Sequence, residues 1–203
     1  MSPSPNPTSS NRKLFRPAVA RARKSSVERL LIGFMGCYAA IVALRSARHI
    51  VRSEPNARVM VVTVELSTLH LQPANDIEAL LAMLQFGDGA AAALVTADAT
   101  GFALEAPFAA SLPDSEQLIR WDVTDAGFAM HLSGEVPGRI AAALSDEAFR
   151  AIVSAGQPPE SIDGWAVHAG GRSILDAVEH AMHLKSDALA ASRQVLADNG
   201  NMS

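Results

Sequence analysis

The chain has 203 residues, enough for one sizeable hydrophobic core or two small ones. Its 49% hydrophobic and 19% charged residues fit a globular protein better than a disordered one. The net charge of −4 is unevenly spread: residues 1–30 carry about +6 and residues 31–203 about −10, so the main body has no broad basic face for nucleic acid. The single cysteine, Cys37, excludes an internal disulfide, and a lone thiol without a secretory signal fits the reducing cytoplasm. No apolar run approaches the ~18 residues that would span a bilayer.

Residues 1–24, rich in Ser, Pro and Asn and then in Arg and Lys, predict a disordered basic arm. Leu30 to Phe34 predicts a short buried strand ending in a glycine turn. Tyr38 to about Arg52 predicts a helix, with Ile41, Leu44, Ala47, Ile50 and Val51 at helical spacing. The β-branched run Val59 to Leu66 predicts a fully buried strand, and Asp76 to Gln85 a helix capped by Asn75 or Asp76. After the turn Gly87-Asp88-Gly89, Ala91 to Thr96 predicts another buried strand. Residues 101–134 predict a pair of longer strands, and Pro137 to Ala155 a helix. Trp165 to His168 predicts a strand, Ser173 to Met182 a helix, and Asp187 to Asp198 a helix stopped at Asn199-Gly200. Alternating strands and helices imply a layered α/β fold.

Three local patterns suggest chemistry. In Gly33-Phe34-Met35-Gly36-Cys37-Tyr38-Ala39-Ala40 the cysteine stands just before a helix, where the positive end of the helix dipole stabilises a thiolate. A buried, inert cysteine is the competing account. In Trp165-Ala166-Val167-His168-Ala169-Gly170-Gly171 an imidazole ends a strand, where it can pair with a thiolate or donate to an oxyanion, or else be a satisfied structural histidine. Asn201 follows a helix end, and its amide can donate to an oxygen gaining charge, although such an Asn is commonly a turn residue.

Taken in order, these patterns resemble the type III polyketide synthases, the chalcone-synthase-like branch of the thiolase-fold acyltransferases. Gly36-Cys37-Tyr38-Ala39 is similar to that family's nucleophile turn, and Phe86-Gly87-Asp88-Gly89-Ala90-Ala91-Ala92 to its FGDGAAA segment. His168-Ala169-Gly170-Gly171 with Ile174-Leu175-Asp176 is similar to its HPGG…ILD segment, and Gly200-Asn201-Met202-Ser203 to its GNMS segment. The resemblance runs from about Ser26 to Ser203. It implies an incomplete thiolase-like layered α/β fold, with mixed sheets and helices between and around them. Residues 25–100 would end an N-terminal half carrying the nucleophile, and residues 101–203 would form part of a C-terminal half carrying the histidine and asparagine.

The resemblance also implies a reaction. A starter acyl group moves from coenzyme A to Cys37, malonyl-CoA loses carbon dioxide, and the enolate attacks the thioester, building pyrone, resorcinol or phloroglucinol-type polyketides. His168 would hold the thiolate and the thioester carbonyl, and Asn201 would join it in stabilising the enolate. Phe86 would match the aromatic gatekeeper. Met130 would stand where the family has a second aromatic gate, His70 near a position lining the initiation cavity, and Ser203 on the substrate side. Acyl-CoA and malonyl-CoA are the expected substrates, with no permanently bound cofactor, no metal, no membrane and no nucleic acid, in a homodimer.

Some features depart from the family. Ala169 replaces the proline after the histidine. Residues 1–24 do not resemble the family's upstream region with its basic CoA-binding residues, and the chain stops at Ser203 where the family continues. The expectation is a chain truncated at both ends that is poorly stable or aggregates. Rival readings are an inactive remnant acting at most as a pairing partner, a ketoacyl synthase of fatty-acid synthesis, and a Cys-His hydrolase. Gly87-x-Gly89-x-x-Ala92 fits a dinucleotide fingerprint only superficially, because helix, glycines and strand come in the wrong order. Glu179, His180 and His183 lack HExxH spacing and predict two exposed histidines on an amphipathic helix, not a metal site.

Overall fold

A computed structural model of the chain describes residues 27–73, 77–125 and 127–203. The expected arm at 1–24 and the expected caps Asn75 and Asp76 lie outside the described residues. Residues 27–33 form no helix or strand and are taken by themselves, apart from the unit Phe34–Ser203. The strand expected at Leu30 to Phe34 is therefore not formed. Leu30 and Leu31 are exposed, and no strand among the described residues pairs with this run. An apolar run becomes a strand only where a neighbour takes up its backbone donors and acceptors.

The unit Phe34–Ser203 begins with the helical turn Gly36–Tyr38, which leads into α1 (Ala39–Ser53). It continues with β1 (Val59–Glu65), a turn at Ser67–His70, α2 (Ile77–Leu84), and β2 (Gly89–Val95). The strands β3 (Ile119–Thr124) and β4 (Gly127–Leu132) precede α3 (Val136–Ser145), α4 (Glu147–Val153), α5 (Arg172–Ala181) and α6 (Ala190–Asn199).

Two antiparallel pairs are formed, β1 with β2 and β3 with β4. In β1, Val61 is buried and the strand packs on α1, whose Ala47 and Val51 are buried. On the other face Met60, Val62 and Val64 are exposed, with Leu94 opposite Met60. The expectation of fully buried strands is thus corrected: each has one covered face at most, as antiparallel sheets allow.

The helix expected over Pro137 to Ala155 is two helices. Asp146 leaves helical geometry (φ −70°, ψ 122°), and its carboxylate accepts the Phe149 N–H at 2.8 Å, so it caps the start of α4. The expected strand at Trp165 to His168 is not paired, yet it keeps a strand's alternation, with Trp165 and Val167 turned inward and Ala166 and His168 exposed. Val167 donates its N–H to Ser192 Oγ at 3.2 Å in place of a ladder bond. Trp165 and Val167 lie on the main core, where Leu144, Leu175, Val178, Ala181, Met182 and Leu189 join α3, α5 and the approach to α6. That core lies directly beneath the segment that presents His168. Among the described residues no helix is long and apolar enough to cross a membrane.

Candidate active site

Cys37 lies in the turn leading into α1, after Phe34 and Gly36, which both take positive φ values of 56° and 54°. Gly36 adopts that conformation freely, and the sharp turn presents the sulfur ahead of the helix start. Neither this turn nor the first turn of α1 holds an acidic residue, so no carboxylate of the helix itself offsets the dipole's positive end.

His168 reaches the same place from the segment above the core. Gly170 leaves room for the imidazole: a Cβ there would lie 3.2 Å from Ile174 Cδ1 and 3.3 Å from His168 Cδ2. The third contribution comes from the end of α6. Gly200 (φ 72°) turns the chain against the Gln85–Gly87 segment, where Asn201 N–H donates to the Gln85 carbonyl and Gly87 N–H to the Asn201 carbonyl, each at 2.9 Å. The Asn201 side chain, 3% exposed, donates from Nδ2 to the Gly170 carbonyl at 3.3 Å and accepts the Ser203 N–H on Oδ1 at 2.9 Å. Ser203 Oγ lies 3.6 Å from Cys37 Sγ.

These contacts set the electrostatics. Packing around the Cys37 sulfur is the largest influence and raises its pKa, although the residue keeps solvent access. It is outweighed by hydrogen bonds to His168 and Ser203, by the charge of His168 and by the residue's own backbone N–H, so the thiol lies below its ordinary value of 9.0. The hydrogen bond to Cys37 raises His168 above 6.5, against a lowering by burial, with the Cys37 charge and the Asn201 amide adding to the rise. The two groups titrate as a coupled pair that favours thiolate and imidazolium together.

The remaining expected residues occupy two places. Phe86, half-buried, is bridged to Asn201 through its backbone. Met130 in β4 stands opposite Trp121 in β3, and the His70 ring lies 5.8 Å from Trp121 and 6.1 Å from Phe128. Phe34, three residues before Cys37, reaches the same wall, 6.0 Å from Phe128. Trp121, Phe128, Phe34, Gln85 and Ser203 as a partner of the sulfur are not singled out by sequence reasoning. Only Phe34 carried a local hint, in its nearness to Cys37. Thr68 donates twice to Asp88, at 2.9 Å from its N–H and 2.6 Å from its hydroxyl, tying the turn before His70 to the Gly87–Gly89 loop and holding Asp88 below its ordinary value. Among the described residues no cluster of His, Cys, Asp and Glu could hold a metal.

Family models match along almost the whole chain: the chalcone and stilbene synthases' N-terminal domain at residues 18–99 and their C-terminal domain at residues 104–203. The chain belongs to the chalcone and stilbene synthase family, with a thiolase-like fold. Among solved structures it is similar to polyketide synthase PKS-I of the brown alga Ectocarpus siliculosus (29% identity, TM-score 0.78, 88% of this chain and 49% of that one). It is also similar to 1,3,6,8-tetrahydroxynaphthalene synthase of Streptomyces coelicolor, a bacterial type III polyketide synthase (28%, TM-score 0.79, 93% and 55%). A third is the C-terminal type III polyketide synthase domain of Steely1 from Dictyostelium (27%, TM-score 0.74, 87% and 52%). The chain spans about half the length of these structures.

Proposed function

We propose that the chain carries the reaction centre of a type III polyketide synthase-like acyltransferase. The observation supporting this most is the meeting of Cys37, His168, Asn201 and Ser203 from three separate segments, with the thiol lowered and the imidazole raised. The starter acyl group is loaded when the Cys37 thiolate attacks the thioester carbonyl of an acyl-CoA. The coenzyme A thiolate leaves and takes its proton from the His168 imidazolium.

In the extension step malonyl-CoA loses carbon dioxide, and negative charge collects on its thioester oxygen. An N–H of His168 and the second N–H of the Asn201 amide are the two donors for that oxygen, since the first amide N–H is given to Gly170. The carbanion carbon attacks the Cys37 thioester, the new carbon–carbon bond forms, and the Cys37 thiolate departs. Phe86, Met130, His70 and Ser203 form the substrate side, and the aromatic wall of Trp121 and Phe128 offers an apolar surface to the growing chain. The substrates are an acyl-CoA starter and malonyl-CoA, no cofactor is held permanently, and the enzyme acts as a cytoplasmic homodimer.

Intact-mass spectrometry of the chain with acyl-CoA starters tests the loading step. A starter-sized increase on wild type and none on Cys37→Ala supports the reading, and malonyl-CoA-dependent carbon dioxide release then tests extension. A folded chain that gains no acyl mass overturns it.

A further inference from the structure

Ser203 occupies an unusual position. Its φ of 54° places it in the left-handed region, uncommon for a residue with a side chain, and its N–H is fixed on Asn201 Oδ1 at 2.9 Å. That conformation aims the hydroxyl at Cys37 Sγ, 3.6 Å away and 166 residues distant in sequence. A thiol and a hydroxyl can each donate to the other. A thiolate can only accept, so the contact becomes O–H···S⁻ when Cys37 ionises.

We propose that Ser203 is a further catalytic group: its hydroxyl donates to the Cys37 thiolate, and Asn201 holds it in place through the Ser203 N–H. This deepens the reading of Cys37 as the acyl-accepting nucleophile and rests on it. The asparagine then has two roles through the two ends of one amide. Its Nδ2 side serves the His168–Gly170 segment, and its Oδ1 side sets the serine that steadies the sulfur. The imidazolium and the hydroxyl act on the thiolate from different segments, so neither substitutes for the other. His168 is the charged side chain acting on the sulfur, and the turn Gly36–Tyr38 and first turn of α1 bring no acidic side chain to it. A hydroxyl donor also releases readily: once the sulfur is acylated it has little to bind, and the Ser203 hydroxyl becomes free to turn toward the acyl group.

The chain's single cysteine makes a direct test possible, because iodoacetamide alkylation and thiolate absorbance near ~240 nm both report Cys37 alone. The full chain is compared with Ser203→Ala, Ser203→Gly and Ser203→Thr across pH, with circular dichroism as a check on folding. The expected result is a three- to tenfold drop in alkylation rate near neutral pH for Ala and Gly, about what one charge-assisted hydrogen bond at a solvent-accessible site supplies, with the rate–pH curve moved to higher pH. Threonine keeps the hydroxyl and keeps the wild-type curve. Should alanine disturb folding, glycine, which suits the positive φ, decides alone.

An unchanged curve for a folded hydroxyl-free variant overturns the proposal, and so does a threonine curve that coincides with the alanine one. The readout needs no acyl-CoA. A failure of the acyltransferase reading shows instead as normal Cys37 titration without acyl transfer, which is a different result.

Discussion

Replacing Gly87 with alanine tests how the asparagine segment is held. A Cβ at residue 87 would lie 2.1 Å from the Asn199 carbonyl oxygen, where real Cβ contacts essentially never fall below 3.0 Å. The obstacle is backbone, so relief requires the two segments to separate by about 1 Å. Separation by that amount stretches the 2.9 Å bonds between Asn201 N–H and Gln85 and between Gly87 N–H and Asn201 past bonding range. Two backbone hydrogen bonds lost at the buried Asn201, with its N–H and C=O left unpaired, cost about 2–4 kcal/mol. For a chain of this size that is a fall of roughly 5–15 °C in thermal midpoint. Because Asn201 carries Ser203 and contacts the His168 segment, alkylation of Cys37 should slow as well. Gly138→Ala is the matched control: nothing lies within 4 Å of its Cβ, and it sits in α3, where alanine is worth about 0.5–1 kcal/mol of added stability. Melting followed by circular dichroism and alkylation followed by mass spectrometry measure both variants. The reasoning is refuted if Gly87→Ala melts with wild type and leaves Cys37 equally reactive.

Cys37 alkylation should outpace that of an ordinary thiol at neutral pH and decline as pH falls through its lowered folded-state value, while His168→Gln should move the profile back toward 9.0. In terms of stability, the cysteine's share of the pair is present above 9.0 and lost as pH falls through its folded value. The histidine's share is present below 6.5 and lost as pH rises through its raised value, and the two describe one interaction, checked by melting across pH. Leu175→Ala, at a fully buried position in the core beneath His168, should cost about 3 kcal/mol by denaturant titration; a loss below about 1 kcal/mol would contradict that core. Val62→Lys, on the exposed apolar face of β1, should change stability by less than about 0.5 kcal/mol and reduce light scattering and hydrophobic-dye binding. Marked destabilisation of the monomer would show that this face is covered.

What the sequence revealed and what it hid divide along the range of the interactions involved. The start of α1 after Cys37, the run of β1 and the glycine stop after α6 are local matters of periodicity and turn chemistry, and the structure places them within a few residues of expectation. The Asp146 cap was also local, since Asp is a favoured N-cap residue, but the continuous apolar spacing through Ile140 and Phe149 concealed it. Strand status was not legible at Leu30 or Trp165, because it depends on a pairing partner and not on the run itself. The His70–Trp121–Phe128 wall and the Ser203–Cys37 contact join residues far apart in the chain, and no local pattern announces them.

Asn201 explains why a motif of four residues, Gly200 to Ser203, can be read so firmly. Its N–H and C=O both pair with the Gln85–Gly87 segment, and its amide pairs with Gly170 on one side and Ser203 on the other. Every polar group of a residue that is 3% exposed therefore has a partner, and the partners belong to the segments that carry Phe86, His168 and the contact to Cys37. Aspartate in its place would turn an acceptor toward the Gly170 carbonyl and bury a charge, and alanine would strand that carbonyl and the Ser203 N–H. Gly87 and Gly200 serve the same junction: at the first a side chain would strike the Asn199 carbonyl, and at the second a φ of 72° turns the chain into position. The glycines of two separate motifs thus serve one junction, whose buried amide pairs with Gly170 on the His168 segment and with Ser203 beside Cys37.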